Sequence, residues 1–467
     1  MSLSLIAIVA SIFVQDRVDT DPRQDETITL TLSGAIDIDW VWRSRALTAA
    51  RGAFGAYGGG FGNLGRSEQV IEAQARVRMD VDLSERVRVV LQLENKRLEG
   101  GANVDALGAN PEGLNLFARE ASISVSDCFF RSLDISAGVI PWSFDVRGTG
   151  HPFFWDPAHA ASMTSNVLNG VGGGTGAASL TRDNLQPAGL LVSYRTEQWN
   201  VTAALLPAII EGGSAQQDEA AYLISAVYQL LSVGRGSKVG AILAQTSHTV
   251  GSGAFSNLIT LGAEGAIRQW PLEELEFFGA AYWQRGFVGS IATDAIEAYG
   301  FAFELGTRYS SGDAMPFWVE GKVTYLSGDR HQSGADDNID AFLSYRNASD
   351  LLILEDAFFG LNWNTNLRAF IVSSGLSWPD SKFDTQVTLG FCRAAQDVSF
   401  PGFSDTTSLG KEVDVRVRWS PTRQMSLELG LAFVVDAEIM RRLLGGSGNP
   451  DADNAAQLLT LGGKIRF

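Results

Sequence analysis

Polar and apolar residues alternate along this chain over runs far longer than an ordinary strand. From Ile28 to Trp42 the even positions are Ile28, Leu30, Leu32, Gly34, Ile36, Ile38, Trp40 and Trp42, with Thr29, Thr31, Ser33, Asp37 and Asp39 between them. From Ile71 to Leu83 the odd positions are apolar, and the even ones are Glu72, Gln74, Arg76, Arg78, Asp80 and Asp82. A period of two sends such sets to opposite faces of a strand. Strands of globular proteins usually have about 5–6 residues, so these runs require a taller wall.

The pattern recurs at 86–96, 114–126, 132–140, 188–194, 198–206, 220–230, 238–246, 256–269, 274–286, 295–309, 315–327, 366–377, 382–392, 410–419, 424–435 and 457–467, which with 27–42 and 68–83 makes eighteen strands. The connections alternate in length. Long ones are 43–67, 97–113, 141–187, 207–219, 247–255, 287–294, 328–365, 393–409 and 436–456; short ones include Ser84-Glu85, 195–197, 310–314, 378–381 and 420–423. The alternation holds only if Leu351–Asn362 belongs to a long loop. An even number of tall amphipathic strands, with long loops at one end and tight turns at the other, predicts an all-β fold: a single transmembrane antiparallel β-barrel in the outer membrane of a Gram-negative-type cell. Both termini then lie on the periplasmic side. A large secreted sandwich or propeller is the rival fold, but it gives no reason for aromatics at strand ends such as Trp40, Trp42, Trp199, Trp283, Tyr309, Phe317, Tyr325, Trp419 and Phe433. The terminal Phe467, preceded by alternating Leu459, Leu461, Gly463 and Ile465, resembles the signal read by the barrel-assembly machinery.

Composition sharpens the picture by exclusion. The 467 residues carry 53 acidic and 36 basic side chains, a net charge of −17, which argues against a nucleic-acid partner. No apolar run reaches the ~18 residues of a transmembrane helix. Leu3–Val14 has the length of a signal h-region, so residues 1–15 are expected to be a signal peptide, 16–26 an acidic segment and 27–467 the barrel, with a buried first strand as the alternative for the apolar run. Catalytic motifs are missing: there is no His-Glu-x-x-His, Gly-x-Ser-x-Gly or Gly-Lys-Ser/Thr, and an enzyme is not expected. Cys128 and Cys392 are isolated thiols. His151 and His159 flank an aromatic loop and read as loop residues before metal ligands. No cofactor is implied, although Ca²⁺ could use the oxygens of 335–340 and 450–454, otherwise solvated acids.

Chemistry concentrates on the polar strand faces. An outward Arg or Lys costs about 2–4 kcal/mol at the bilayer midplane, so these faces are expected to line a wet, charged lumen. Basic members include Arg76, Arg78, Arg86, Arg88, Lys96, Arg268, Arg308, Lys322, Arg368, Arg416, Arg418, Lys464 and Arg466; acidic ones are Asp37, Asp39, Glu72, Asp80, Asp82, Glu94, Glu264, Glu304, Glu320, Glu412, Asp414 and Glu428. They either pair across strands or form a selective path for anions. Asp336, Asp337, Asp340, Asp350, Glu355, Asp356, Asp451 and Asp453 would form an acidic outer rim. Loop 141–187 mixes aromatic anchors with a Gly run and is expected either to enter the barrel as a constriction, with Asp145 and Arg147 facing the path, or to cap it from outside.

Strand count and loop alternation, with Val139-Ile140-Pro141-Trp142 through Asp145-Val146-Arg147-Gly148, Leu326-Ser327-Gly328-Asp329 and Leu376-Ser377-Trp378-Pro379, resemble the alginate-export porins of Gram-negative outer membranes. That resemblance implies a passive conduit for an anionic polysaccharide, contacted by Arg76, Arg78, Arg88, Lys322, Arg416 and Arg418. The alternatives from the residues themselves are an uptake porin for small sugars or anions and a non-conducting, adhesin-like surface barrel.

Overall fold

The computed structural model describes residues 28–48, 67–95, 98–100, 116–150, 152–155, 185–211, 218–249, 254–290, 293–312, 315–328, 338–342, 350–356, 361, 363, 365–378, 380–398, 406–445 and 454–467. The expected signal and acidic segments lie outside these. Eighteen strands build the wall: β1 (Thr29–Arg43), β2 (Glu68–Asp82), β3 (Val87–Asn95), β4 (Leu116–Val125), β5 (Leu133–Val139), β6 (Leu185–Arg195), β7 (Trp199–Glu211), β8 (Asp218–Gln229), β9 (Lys238–Thr249), β10 (Ala254–Arg268), β11 (Leu275–Ser290), β12 (Thr293–Ser310), β13 (Phe317–Leu326), β14 (Leu367–Trp378), β15 (Phe383–Val398), β16 (Thr406–Thr422), β17 (Met425–Val435) and β18 (Ala456–Arg466). Two short pieces add to them. Leu98–Gly100 prolongs β3 against Ile71–Ala73, and Asn338–Ile339 runs parallel to Glu297–Ala298. Each wall strand pairs antiparallel with the next, and β18 returns to β1 with Trp40 opposite Leu461. The sheet is a closed barrel, and Leu351–Leu354 falls in the connection between β13 and β14.

Closure follows from the solvent. Lipid offers no partner to a backbone N–H or C=O, so an open sheet edge has no place in the hydrocarbon. The outward set is apolar: Leu205, Ile224, Leu243, Ile259 and Leu261 are each 46–52% exposed, whereas their inward neighbours Ala204, Leu223 and Ile242 are buried. Aromatic pairs mark the short-turn end, with Phe130 on Tyr194, Trp199 on Tyr228, Tyr309 on Phe317 and Phe383 on Trp419, at ring separations of 4.7–6.0 Å. Amphipathic rings belong at the headgroup level. The seam where β18 meets β1 ends on Phe467, whose backbone exchanges two hydrogen bonds with Gly34 (2.9 and 3.1 Å).

The interior departs from a uniformly wet and charged lumen. In the outer half of the barrel the inward positions are small or apolar, as at Ala204, Leu206, Ala221, Leu223, Ala302, Leu326, Ala369, Ala394, Ala432, Val434 and Leu458, all buried in one cluster. Loop segments fill the space that these side chains leave. Phe144, Phe153, Phe154 and Trp155 follow β5, Leu351–Leu354 precede β14, and Ile439 and Met440 come from a short helix α1 (Glu438–Gly445). Most charged inward residues lie toward the periplasmic half, while Arg43, Glu94 and Glu412 are buried farther out.

At position 34 a Cβ would run into the Phe467 ring and lie 2.7 Å from the Arg76 carbonyl. Gly34→Val is therefore expected to destabilise the folded barrel by about 1–3 kcal/mol, measured by denaturant unfolding in lipid.

Candidate functional site

Pro141 has no N–H to continue the ladder beyond β5, and the chain turns into the lumen. The Phe144 N–H donates to the Trp155 carbonyl (3.1 Å), and Trp155 Nε1 donates to that of Trp142 (3.2 Å). The Asp145 carboxylate accepts the N–H groups of Gly148 and Gly150, both at 2.7 Å. This compact loop seats on β9 to β13. Glu264 accepts the Val146 N–H (3.2 Å) and the Tyr282 hydroxyl (2.6 Å), while Phe154 packs on Tyr282 and Phe342. Close approach needs a bare backbone at Gly240, where a Cβ would meet Val146 at 2.7 Å.

Arg147 is the charged anchor of the loop. Its Nη2 lies 2.7 Å from Glu320 and 3.2 Å from Glu276, and its guanidinium carbon lies 3.5 Å from the centroid of the Phe278 ring. Burial alone would lower the Arg147 pKa; hydrogen bonds and charge from Glu320 and Glu276 outweigh it and raise it. Arg268 joins Glu276 (3.1 Å) and donates to the Arg147 carbonyl (2.5 Å).

A second segment, 350–356, is held by two carboxylates of β16. Asp414 accepts the Leu352 N–H (2.9 Å), and Glu412 accepts those of Ile353 (2.5 Å) and Leu354 (2.9 Å). Asp350 reaches Lys322 at 2.6 Å, and Lys322 also contacts Glu304 (3.1 Å). Between the two segments and the wall lies a cavity of about 270 Å³, lined among others by Asp145, Arg147, Arg308, Trp318, Lys322 and Arg416. Arg308 stacks 4.3 Å over the Trp318 ring and is 3.7 Å from Glu320.

A larger cavity of about 660 Å³ opens near the periplasmic ends of β1, β2 and β15 to β18, lined by Asp37, Asp39, Arg76, Arg418, Lys464 and Arg466 among others. Asp37 bridges Arg76 and Lys464, both at 2.9 Å, and Arg418 pairs with Glu428 at 2.6 Å. On β2 to β4, Arg78 binds Asp80 (2.9 Å) and Glu120 (2.5 Å), Arg88 binds Asp80 (2.6 Å), and Glu94 accepts from Gln74.

Among the described residues, the candidate pore residues other than Arg368 face the interior, most of them in ion pairs between strands or between strand and loop. Asp414 lies under segment 350–356 instead of facing open lumen. Three expected members of the acidic outer rim are inside the barrel, because Asp350, Glu355 and Asp356 enter with their loop. Arg368 is not lumenal: it alternates with buried Leu367 and Ala369 and points outward. Lys96, His151, His159, the Gly172–Gly176 run, Asp336, Asp337, Asp451 and Asp453 lie outside the described residues. Sequence reasoning missed Glu276, Tyr282 and Trp318, which close this site. The available signal was an inward run of small residues, Ala280 beside Tyr282, that makes room for a loop. Among the described residues no group of three or more His, Cys, Asp or Glu could hold a metal.

No family model and no curated protein matches the sequence. Solved structures do match. OccK9 (OpdG) of Pseudomonas aeruginosa superposes with a TM-score of 0.50 over 94% of this chain and 98% of its own, at 9% identity. The outer membrane protein OpdK of the same organism gives 0.49 over 94% and 98% at 10% identity, and the anion-selective porin of Comamonas acidovorans 0.44 over 94% and 100% at 12% identity. At these identities the likeness bears on the fold alone. The chain is an outer-membrane barrel of porin architecture.

Arg147→Ala leaves Glu276 to Arg268 alone and Glu320 to the long Arg308 contact and is expected to weaken loop seating by about 3 kcal/mol, read as faster limited proteolysis within 141–155. Glu412→Ala removes the acceptor of two buried N–H groups, at about 1–3 kcal/mol each. It is expected to release segment 350–356, seen as increased hydrogen exchange at Ile353 and Leu354 with the wall strands still protected.

Proposed function

We propose that the protein is a substrate-selective uptake channel for small polar solutes, organic anions first among them. The observation that carries this reading is the cavity of about 270 Å³ beneath the two in-folded segments. That space approaches the lower end of small-molecule sites, about 300–1,000 Å³. It combines an aromatic face with cationic groups: Arg308 lies flat on Trp318 and holds Glu320 only at 3.7 Å, while Lys322 and Arg416 line the same space. A carboxylate could replace the long Glu320 contact with a direct one to Arg308, while the apolar part of the solute rests beside Phe153 and Phe278.

In this reading Arg147 and Asp145 belong to the constriction. Arg147 holds the loop and sets the width of the passage, and Asp145 fixes the turn. The periplasmic cavity with Arg76, Arg418 and Arg466 is the exit vestibule. Passage of an anionic polysaccharide, the expectation drawn from the alginate-export resemblance, finds less support in this interior. Loop segments anchored to the wall occupy the outer half, and most basic residues expected to contact a polymer are paired with carboxylates.

Single-channel currents through the refolded protein in a planar bilayer test this. The expected result is a small conductance that micromolar to millimolar monocarboxylates reduce saturably, with Arg308→Gln weakening that effect roughly tenfold, the loss of one charge-assisted hydrogen bond. Block by oligouronates in preference to monocarboxylates would restore the export reading. A folded barrel that passes no current would make it a surface barrel.

A further inference from the structure

The outward face is apolar over most of its height, but toward its outer edge charged residues also face outward, as Arg285 does beside Tyr299 on β11 and β12, and one sector gathers three cations. Arg368 in β14, Arg393 in β15 and Lys411 in β16 are exposed, and each alternates with buried inward neighbours such as Ala369, Cys392 and Glu412. Arg368 and Arg393 are direct cross-strand partners, and Lys411 is the partner of Phe391, two residues from Arg393 on the same face. Like charges placed opposite one another on a sheet repel. Arg368 turns its guanidinium to the Ala394 carbonyl (3.1 and 3.3 Å), and Lys411 has Asp436 at 2.7 Å. Among the described residues no carboxylate is bonded to Arg393. Asp397 lies farther out on the same strand.

Height places these cations at a headgroup level. Phe383, stacked on Trp419, belongs to the periplasmic aromatic belt. Arg393 is ten residues farther along β15, about 33 Å at ~3.3 Å per residue. With a strand tilt of about 40° this is a rise of about 25 Å, the full thickness of the apolar band. Directly toward the membrane centre lie Phe370 and Phe391, ring centroids 6.3 Å apart, with exposed Val413 and Phe433 beside them. Two guanidinium forks above an aromatic floor match a phosphate carried on acyl chains: the forks take the phosphate oxygens and the rings take the chains.

We propose that this sector of β14 to β16 is a binding site for a phosphate-bearing glycolipid of the outer leaflet. It is independent of what passes through the lumen. One phosphate placed between Arg368 and Arg393 would turn their mutual repulsion into a shared attraction, and Lys411 would flank it.

The test uses the full chain refolded in neutral detergent, with the folded state verified by heat-modifiable gel mobility. Bis-phosphorylated lipid A is titrated against the wild type, R368Q/R393Q and R368K/R393K, and retained lipid is read by native mass spectrometry. The expected result is a dissociation constant raised about tenfold or more in R368Q/R393Q and less in R368K/R393K, because lysine keeps the charge but loses the bidentate fork. Phosphate-free lipid A should bind the wild type about tenfold or more weakly than the phosphorylated form binds the wild type. That arm, on the wild type alone, holds even if a variant fails to fold. Equal affinity for the phosphorylated and phosphate-free lipids overturns the proposal. So does equal retention by wild type and R368Q/R393Q, or displacement of the lipid by an equimolar amount of inorganic phosphate, which would make this a free-anion site.

Discussion

Everything in this structure follows from one demand: inside a bilayer each backbone N–H and C=O must find its partner within the protein. A sheet meets it only by closing, and the β18–β1 pairing closes this one. Closure in turn fixes the two-sided character of every strand, because successive side chains must face lipid and lumen in turn. The demand also reaches inside. Segments 141–155 and 350–356 carry irregular backbone into the barrel, and its N–H groups are met by inward carboxylates, Glu264 for the first and Glu412 with Asp414 for the second. The acids of the lumen are thus structural partners of the loops as much as features of a passage.

That dual role explains why the wall could be read from the chain while the interior could not. Period-two alternation over 12 to 16 residues, together with unequal connections, specifies strands, faces and parity, and the eighteen strands are where the pattern put them. The interior depends on which loops turn inward, and loop residues have no period to read. In Ala220-Ala221-Tyr222-Leu223-Ile224 both faces are apolar, so alternation cannot distinguish lipid from packed loop. A partial sign was size: several inward positions that receive a loop carry no Cβ, as at Gly240 and Gly390.

Arg368 shows the limit of a single rule. Assigning every polar strand residue to the lumen rests on the cost of charge at the midplane, and that cost falls to about 0–1 kcal/mol near the interface. At the outer end of β14 the constraint has relaxed, and a cation can face outward. Asp350, Glu355 and Asp356 fail for the complementary reason. Acidic residues in a long loop look solvated until the loop carries them inside, where Lys322 meets the first of them.

The apolar outer half of the interior has a mechanical meaning. Phe154, Tyr282 and Phe342 belong to the same cluster as Ala302, Leu326 and Ala369 of the wall, so loop and barrel share one core. Swinging a loop aside would expose those rings and an empty, hydrophobic ring of wall together. The aperture is consequently a product of folding, not of each encounter with a solute. In the proposed channel such an aperture would discriminate by fixed shape and fixed charge, and changing what it admits would require repacking the core that also holds the molecule together.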